Sequence, residues 1–186
     1  MKIKVLIFQA LFFVSICTVN AQAVKKDAEA PQTKMDRFTS KTGAFSKFTD
    51  SKLPNLKCSY GTPETRIRKV TTDTESVYFY QIEKNAQYSN STASIAYEDL
   101  LEVIKAVKVL QTEVDKDAAS NPNYLENKFV TVDGFQIGYY ISKEKPKWYI
   151  KLEKFGTDNT LFVDEATTLT KTFDDAKTKI EELKKI

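Results

Sequence analysis

Hydrophobic residues recur at spacings of three and four along two long segments of the chain, a pattern typical of amphipathic helices. The first segment follows Tyr97 and runs to Asp117, with two acidic residues in its first turn. The second follows Asp164, which we expect to cap the helix by accepting a bond from a backbone amide. Each segment therefore predicts a helix with one buried stripe, formed by Leu100, Val103, Ile104, Val107, Leu110 and Val114 in the first helix and by Ala166, Leu169, Phe173, Ala176, Ile180 and Leu183 in the second.

Three segments ahead of the first helix are expected to be β-strands. The first covers 43–49, although Phe45 and Phe48 are three residues apart and so do not share one strand face. The runs 65–71 and 76–84 should form a hairpin through a four-residue turn. In the last run Tyr78, Tyr80 and Ile82 share one face while Val77 and Phe79 share the other. Because both faces carry apolar residues, we expect this strand to be central, with its outer face partly covered.

Between the helices the sequence predicts a four-stranded meander. Strands are expected over 129–132, 135–142, 148–155 and 160–163, and Asp133-Gly134 marks the first turn, since glycine accepts the positive φ of a tight hairpin. A turn over 143–146 should lead into the third strand. Its alternation places Trp148, Ile150 and Leu152 inward and Tyr149, Lys151 and Glu153 outward.

These elements predict an α+β fold, with an antiparallel sheet of about six to eight strands and two long amphipathic helices packed on one face. Several strands followed by an acidic helix start occur twice along the chain. This repeated pattern suggests the hypothesis that the chain consists of two duplicated halves, which together form one curved sheet. The alternative is that strand-to-helix junctions look alike for capping reasons alone.

The N-terminal residues have the features of an export signal. Met1–Ala21 combine two early lysines, an apolar run of roughly a dozen residues and small residues before a cut after Ala21 or Ala23. The apolar run is too short for a membrane helix of about 20 residues. The alternative is lipid attachment at Cys17. Residues 22–42 are polar and should form a flexible leader, so that the folded domain covers 43–186.

Composition excludes several classes of function. The chain has 28 basic and 25 acidic residues, and loss of Lys2 and Lys4 with the signal leaves a net charge of about +1, which argues against nucleic-acid binding. The chain has no histidine, which excludes Ser-His-Asp and Cys-His catalysis and the usual zinc sites. Its glycines are scattered, and no calcium loop, phosphate loop or cofactor motif is present.

Only Cys58 remains after signal removal, so an intramolecular disulfide is impossible. A small buried apolar residue is the favoured interpretation of Cys58, and a reactive thiol or an intermolecular bridge is the alternative.

One aromatic surface is a candidate binding site. Tyr140 and Tyr149 should lie on the outward face of neighbouring strands, with Lys147 and Lys151 nearby as hydrogen-bond donors. Amphipathic rings in such a place can stack on a sugar, peptide or protein. The favoured alternative is that two cross-strand tyrosines stabilise an exposed sheet face.

The IAYEDLLEVIKAV helix start and the NKFVTVDGFQIGYY and KWYIKLEK meander, together with the export signal, resemble small exported proteins of unassigned function from Bacteroidetes-type bacteria. The resemblance covers about Gly43 to the C-terminus and implies export and the strand order, but no activity.

We therefore expect a periplasmic or secreted, non-catalytic binding module. Its partner would be a protein, peptide or glycan of the envelope, and we expect no nucleic-acid partner, no cofactor and no membrane span after signal cleavage. A histidine-free hydrolase that uses carboxylates from different strands is the alternative.

Overall fold

A computed structural model describes residues 32–85, 90–143 and 145–186. The predicted signal, the lipid-attachment alternative at Cys17 and residues 22–31 of the predicted leader lie outside these residues. In chain order the elements are α1 (Lys34–Thr39), β1 (Lys47–Leu53), β2 (Glu64–Thr71), β3 (Ser76–Lys84), β4 (Ser91–Ala96), α2 (Tyr97–Ala119), β5 (Leu125–Val130), β6 (Gln136–Ser142), β7 (Lys145–Lys151), β8 (Thr160–Val163) and α3 (Ala166–Leu183).

The fold is α+β, as predicted, but its strands form two sheets. The first sheet has the order β1-β2-β3-β4 and the second has the order β5-β6-β7-β8, and all neighbours are antiparallel. The prediction of one sheet was wrong because β4 and β5 do not pair. The edge of β4 is bonded by a side chain instead, since the Thr92 N–H donates to Glu153 Oε1 at 2.8 Å.

One hydrophobic core is shared by both sheets and both long helices. Phe173 of α3 lies at its centre, with its ring 6.0 Å from that of Tyr80 in the first sheet and 6.2 Å from that of Phe135 beside the second. The predicted stripes of α2 and α3 are confirmed. Their buried residues are Leu100, Val103, Ile104, Val107 and Leu110 in α2 and Leu169, Phe173, Ala176 and Ile180 in α3.

A short helix, α1, lies in the segment expected to be a flexible leader. A capping box between Thr33 and Asp36 begins it. Met35 and Phe38 pack against Val70, Phe79 and Ala96 on the outer face of the first sheet. This packing confirms that the outer face of β3 is partly covered. It also explains why a mostly polar segment forms a helix here, because its two large apolar side chains are packed against the sheet.

Several element boundaries differ from the sequence prediction. β1 begins at Lys47, so Phe45 lies outside it, and β5 begins at Leu125. β7 starts at Lys145, because Ser142 pairs with Lys145 and the turn is shorter than expected. These shifts follow from pairing registers, which apolar spacing alone does not specify.

The predicted cap of α3 was also wrong. Glu165 is the residue before the helix, and its side chain makes no capping bond. Asp164 instead accepts a bond from the Ser59 hydroxyl at 2.7 Å. The carboxylate is thus used to hold a distant loop.

The described residues contain no helix that is both long enough and apolar enough to cross a membrane.

Candidate functional site: an aromatic groove

The four predicted surface residues lie on the outward face of the second sheet, by strand register. Tyr140 of β6 is paired with Lys147 of β7, and the ring of Tyr140 lies 6.5 Å from that of Tyr149. Lys151 follows Tyr149 by two residues along β7. The two tyrosines therefore do meet, as the sequence predicted.

Tyr149, however, is buried, with 6% of its surface exposed, so its assignment as an exposed residue was wrong. Its hydroxyl donates a 2.5 Å bond to Glu126 Oε1 on β5, although β6 lies between the two strands. Gly138 is the residue of β6 opposite Tyr149. Because Gly138 has no side chain, the phenol ring has room to cross β6 and reach Glu126.

The backbone at Gly138 is also crowded. A Cβ atom placed there would lie 2.7 Å from Lys128 Cβ and would also contact the carbonyl oxygen of Asn127. Glycine is therefore required at this position. Burial, and next the bond to Glu126, raises the pKa of Tyr149, while that same bond is the main cause that lowers the pKa of Glu126.

A groove of about 370 Å³ opens beside Tyr140, at one end of the second sheet. The rings of Tyr140 and Phe162 contact each other edge to face, with centroids 6.4 Å apart. The third aromatic residue at the surface is Tyr60, which is 84% exposed. We call this the aromatic groove, and its lining residues are Ser59, Tyr60, Tyr140, Pro146, Lys147, Trp148, Phe162, Val163 and Asp164.

The loop that carries Tyr60 is tied to the edge of the second sheet. The Ser59 N–H donates to the Phe162 carbonyl at 2.8 Å, and the Ser59 hydroxyl bonds Asp164. On the other side of the loop, the side chain of Leu56 is buried in the core, and its N–H donates to the Pro63 carbonyl at 3.0 Å. These contacts fix the base of the loop, so Tyr60 is held at the rim of the groove.

Cys58 lies in the same loop, half-buried, and packs against the core. Burial, assisted by the negative charge of Asp164, raises the pKa of the Cys58 thiol to about 11. The thiol is therefore protonated near neutral pH and is a poor nucleophile. This agrees with the favoured interpretation of Cys58 as a small packing residue.

The groove offers hydrogen-bonding groups as well as rings. Lys147 is exposed and presents an ammonium group, and Asp164 presents a carboxylate of opposite charge. The exposed fraction of Phe162 is 38%, so an apolar surface remains accessible between these polar groups. Such a mixture fits noncovalent recognition of a small ligand or a short chain segment.

Sequence reasoning found part of this groove and missed the rest. Tyr140 and Lys147 line it, whereas Tyr149 and Lys151 do not. Tyr60 was missed because it lies in a loop, where apolar spacing carries no information about position. The sequence did contain one signal for Tyr60, because a large aromatic residue directly before a glycine is unusual in an exposed turn. The structure confirms such a turn, with a φ of +79° at Gly61.

Comparisons of the chain with protein-family models, with curated proteins and with solved structures give no match. The resemblance to small exported bacterial proteins therefore stays a prediction.

Proposed function

We propose that this protein is an exported, non-catalytic binding module that captures an envelope partner in the aromatic groove. The supporting observation is the pair of accessible rings, Tyr60 and Phe162, at a concave surface whose backbone is fixed by bonds from Ser59. Aromatic rings lose little conformational entropy on binding and often dominate interfaces.

The fold itself does not account for Tyr60. With 84% of its surface exposed, this ring contributes little burial to stability, and the loop is already held by Leu56 and Ser59. Loop residues held on a rigid scaffold are frequent binding residues. Tyr60 therefore has the position expected of a contact residue for a partner.

The hydrolase alternative receives less support from the geometry. Three grooves formed by the described residues are each lined by a single carboxylate, which is Asp164 in the aromatic groove, Asp175 in a groove beside α3 and Glu98 in a groove beside α1. A carboxylate-based hydrolase uses two such groups around one bond. In the same residues no cluster of three potential metal ligands is formed.

The proposal of export predicts a processed chain. We expect the exported protein to begin at Gln22 or Val24, after cleavage that follows Ala21 or Ala23, and to carry no lipid. Intact-mass measurement of the protein from its native envelope fraction tests this prediction. A mature chain that begins at Cys17 with added acyl mass would contradict it and would establish membrane anchoring.

A pull-down tests the binding proposal. Immobilised mature protein should capture a partner from the native envelope fraction, and the double variant Tyr60→Ala/Phe162→Ala should lose most of that capture because the accessible rings are gone. Capture is measured by quantitative mass spectrometry. Phe45→Ala is the matched control, since Phe45 is 86% exposed but lies outside the groove.

The melting temperature of each variant shows whether the fold is retained. Phe162 is only partly exposed, so the single variant Tyr60→Ala is measured as well and should reduce capture without a loss of stability. Equal capture by the wild type and by both groove variants would show that the groove is not the binding site.

A further inference from the structure

We infer that the ligand of the aromatic groove is an uncharged oligosaccharide. This inference rests on the proposed function and adds the chemical class of the ligand. It is drawn from three features of the groove: the arrangement of its rings, the balance of its charges and the state of the adjacent strand edge.

The rings provide surfaces on which a sugar can stack. Tyr140 and Phe162 lie edge to face, at 80° to each other, so the two rings do not stack face to face on each other. Tyr60 adds a third, largely exposed ring. The face of an aromatic ring is its negative side, which attracts the weakly positive C–H groups of a pyranose.

The polar groups fit a ligand that both donates and accepts hydrogen bonds. Lys147 only donates, the carboxylate of Asp164 only accepts, and the hydroxyls of Tyr60 and Tyr140 do both. Every sugar hydroxyl can meet either kind of partner. One positive and one negative group also leave the groove without a net charge, so its electrostatics select neither an anion nor a cation.

The edge of β8 beside the groove argues against an extended peptide. Peptides commonly bind to sheets by adding a strand and bonding to free main-chain groups. At this edge the Phe162 carbonyl already accepts a 2.8 Å bond from the Ser59 N–H. A strand added here would have to displace the loop that forms one wall of the groove.

Isothermal titration calorimetry of the mature protein tests the inference. We expect cellotetraose, maltotetraose or chitotetraose to bind saturably, with a Kd of about 1 mM or below. Because the ligand is uncharged, raising the salt concentration should change the Kd by less than about twofold.

Variants of the mature protein test the assignment of residues. Tyr60→Ala should weaken saccharide binding by about tenfold or more, through loss of a stacking surface, whereas Phe45→Ala should leave it within about twofold. Asp164→Asn should weaken it less than Tyr60→Ala, because the amide oxygen can still accept bonds. These outcomes together would support the inference.

Two results would overturn it, and they are distinguishable from failure of the binding proposal. If none of the three tetrasaccharides binds while envelope capture still depends on Tyr60, the saccharide assignment is wrong and the binding module stands. If a proline-rich decapeptide binds in a Tyr60-dependent manner and the sugars do not, the ligand is a peptide. If capture is also independent of Tyr60, both proposals fail.

Discussion

Replacing Val107 by aspartate should lower the free energy of unfolding by several kcal/mol, enough to unfold a domain whose total stability is about 5–15 kcal/mol. Val107 is in the middle of the buried stripe of α2 and belongs to the core shared by both sheets. The new carboxylate would be surrounded by apolar side chains. Chemical denaturation, followed by circular dichroism, measures the loss.

Lys108→Asp is the matched control for this substitution. Lys108 is the next residue of the same helix, and it is exposed. The same change to aspartate should therefore cost no more than about 1 kcal/mol. Equal losses in the two variants would contradict the assignment of the buried face of α2.

The two long helices and several strands could be predicted because the spacing of their apolar residues shows which of their faces are buried. In α2 and α3 the apolar spacing of three and four gives the buried stripe directly, and in β3 the apolar residues on both faces correctly indicated an internal strand with a covered outer face. The local pattern is sufficient there because the period of a helix or strand determines which side chains share a face, and the apolar residues show which face is buried.

The number of sheets could not be predicted in this way. Alternation shows which residues of a strand face the core, but it does not show which strand lies alongside. β4 and β5 are separated by α2, and Glu153 rather than β5 bonds the amide of Thr92 at the β4 edge. The side chain that bonds the β4 edge is thus 61 residues away along the chain, and no local pattern contains this contact.

The candidate site shows the same limit more sharply. Tyr140 and Lys147 were placed correctly because they are paired neighbours on one hairpin. Tyr60 was missed because it lies at the groove as a result of long-range contacts. Its neighbour Ser59 bonds Phe162 and Asp164, which are far away along the chain. Predicting it would require the contact between two segments about 100 residues apart, which β-strand alternation does not contain.

Removal of the Tyr149 ring should be the most destabilising change on the outward face of the second sheet. Tyr149→Ala would leave an empty space above Gly138 and would remove the donor to Glu126. We expect a loss of about 2–4 kcal/mol in the free energy of unfolding, since the buried ring lies on an outer face rather than in the central core. Tyr140→Ala should cost less, because Tyr140 is only half-buried.

Tyr149→Phe separates the hydrogen bond from the packing of the ring. The ring stays over Gly138, and only the bond from the hydroxyl to the Glu126 carboxylate is lost, which should cost about 1–3 kcal/mol at pH 7. That bond lowers the pKa of Glu126 below its ordinary value of 4.5. The bond therefore stabilises the folded state above this ordinary value, and its contribution is lost as the pH falls through the lowered pKa.

The difference in stability between wild type and Tyr149→Phe should accordingly be full at pH 7 and should shrink below about pH 4.5, as Glu126 becomes protonated in both states. Urea denaturation at a series of pH values measures it. Glu126→Gln combined with Tyr149→Phe is the control, because without the carboxylate the effect of removing the hydroxyl should no longer vary over this pH range. A cost of Tyr149→Phe that is the same at pH 7 and pH 3 would show that the hydroxyl does not interact with an ionised Glu126.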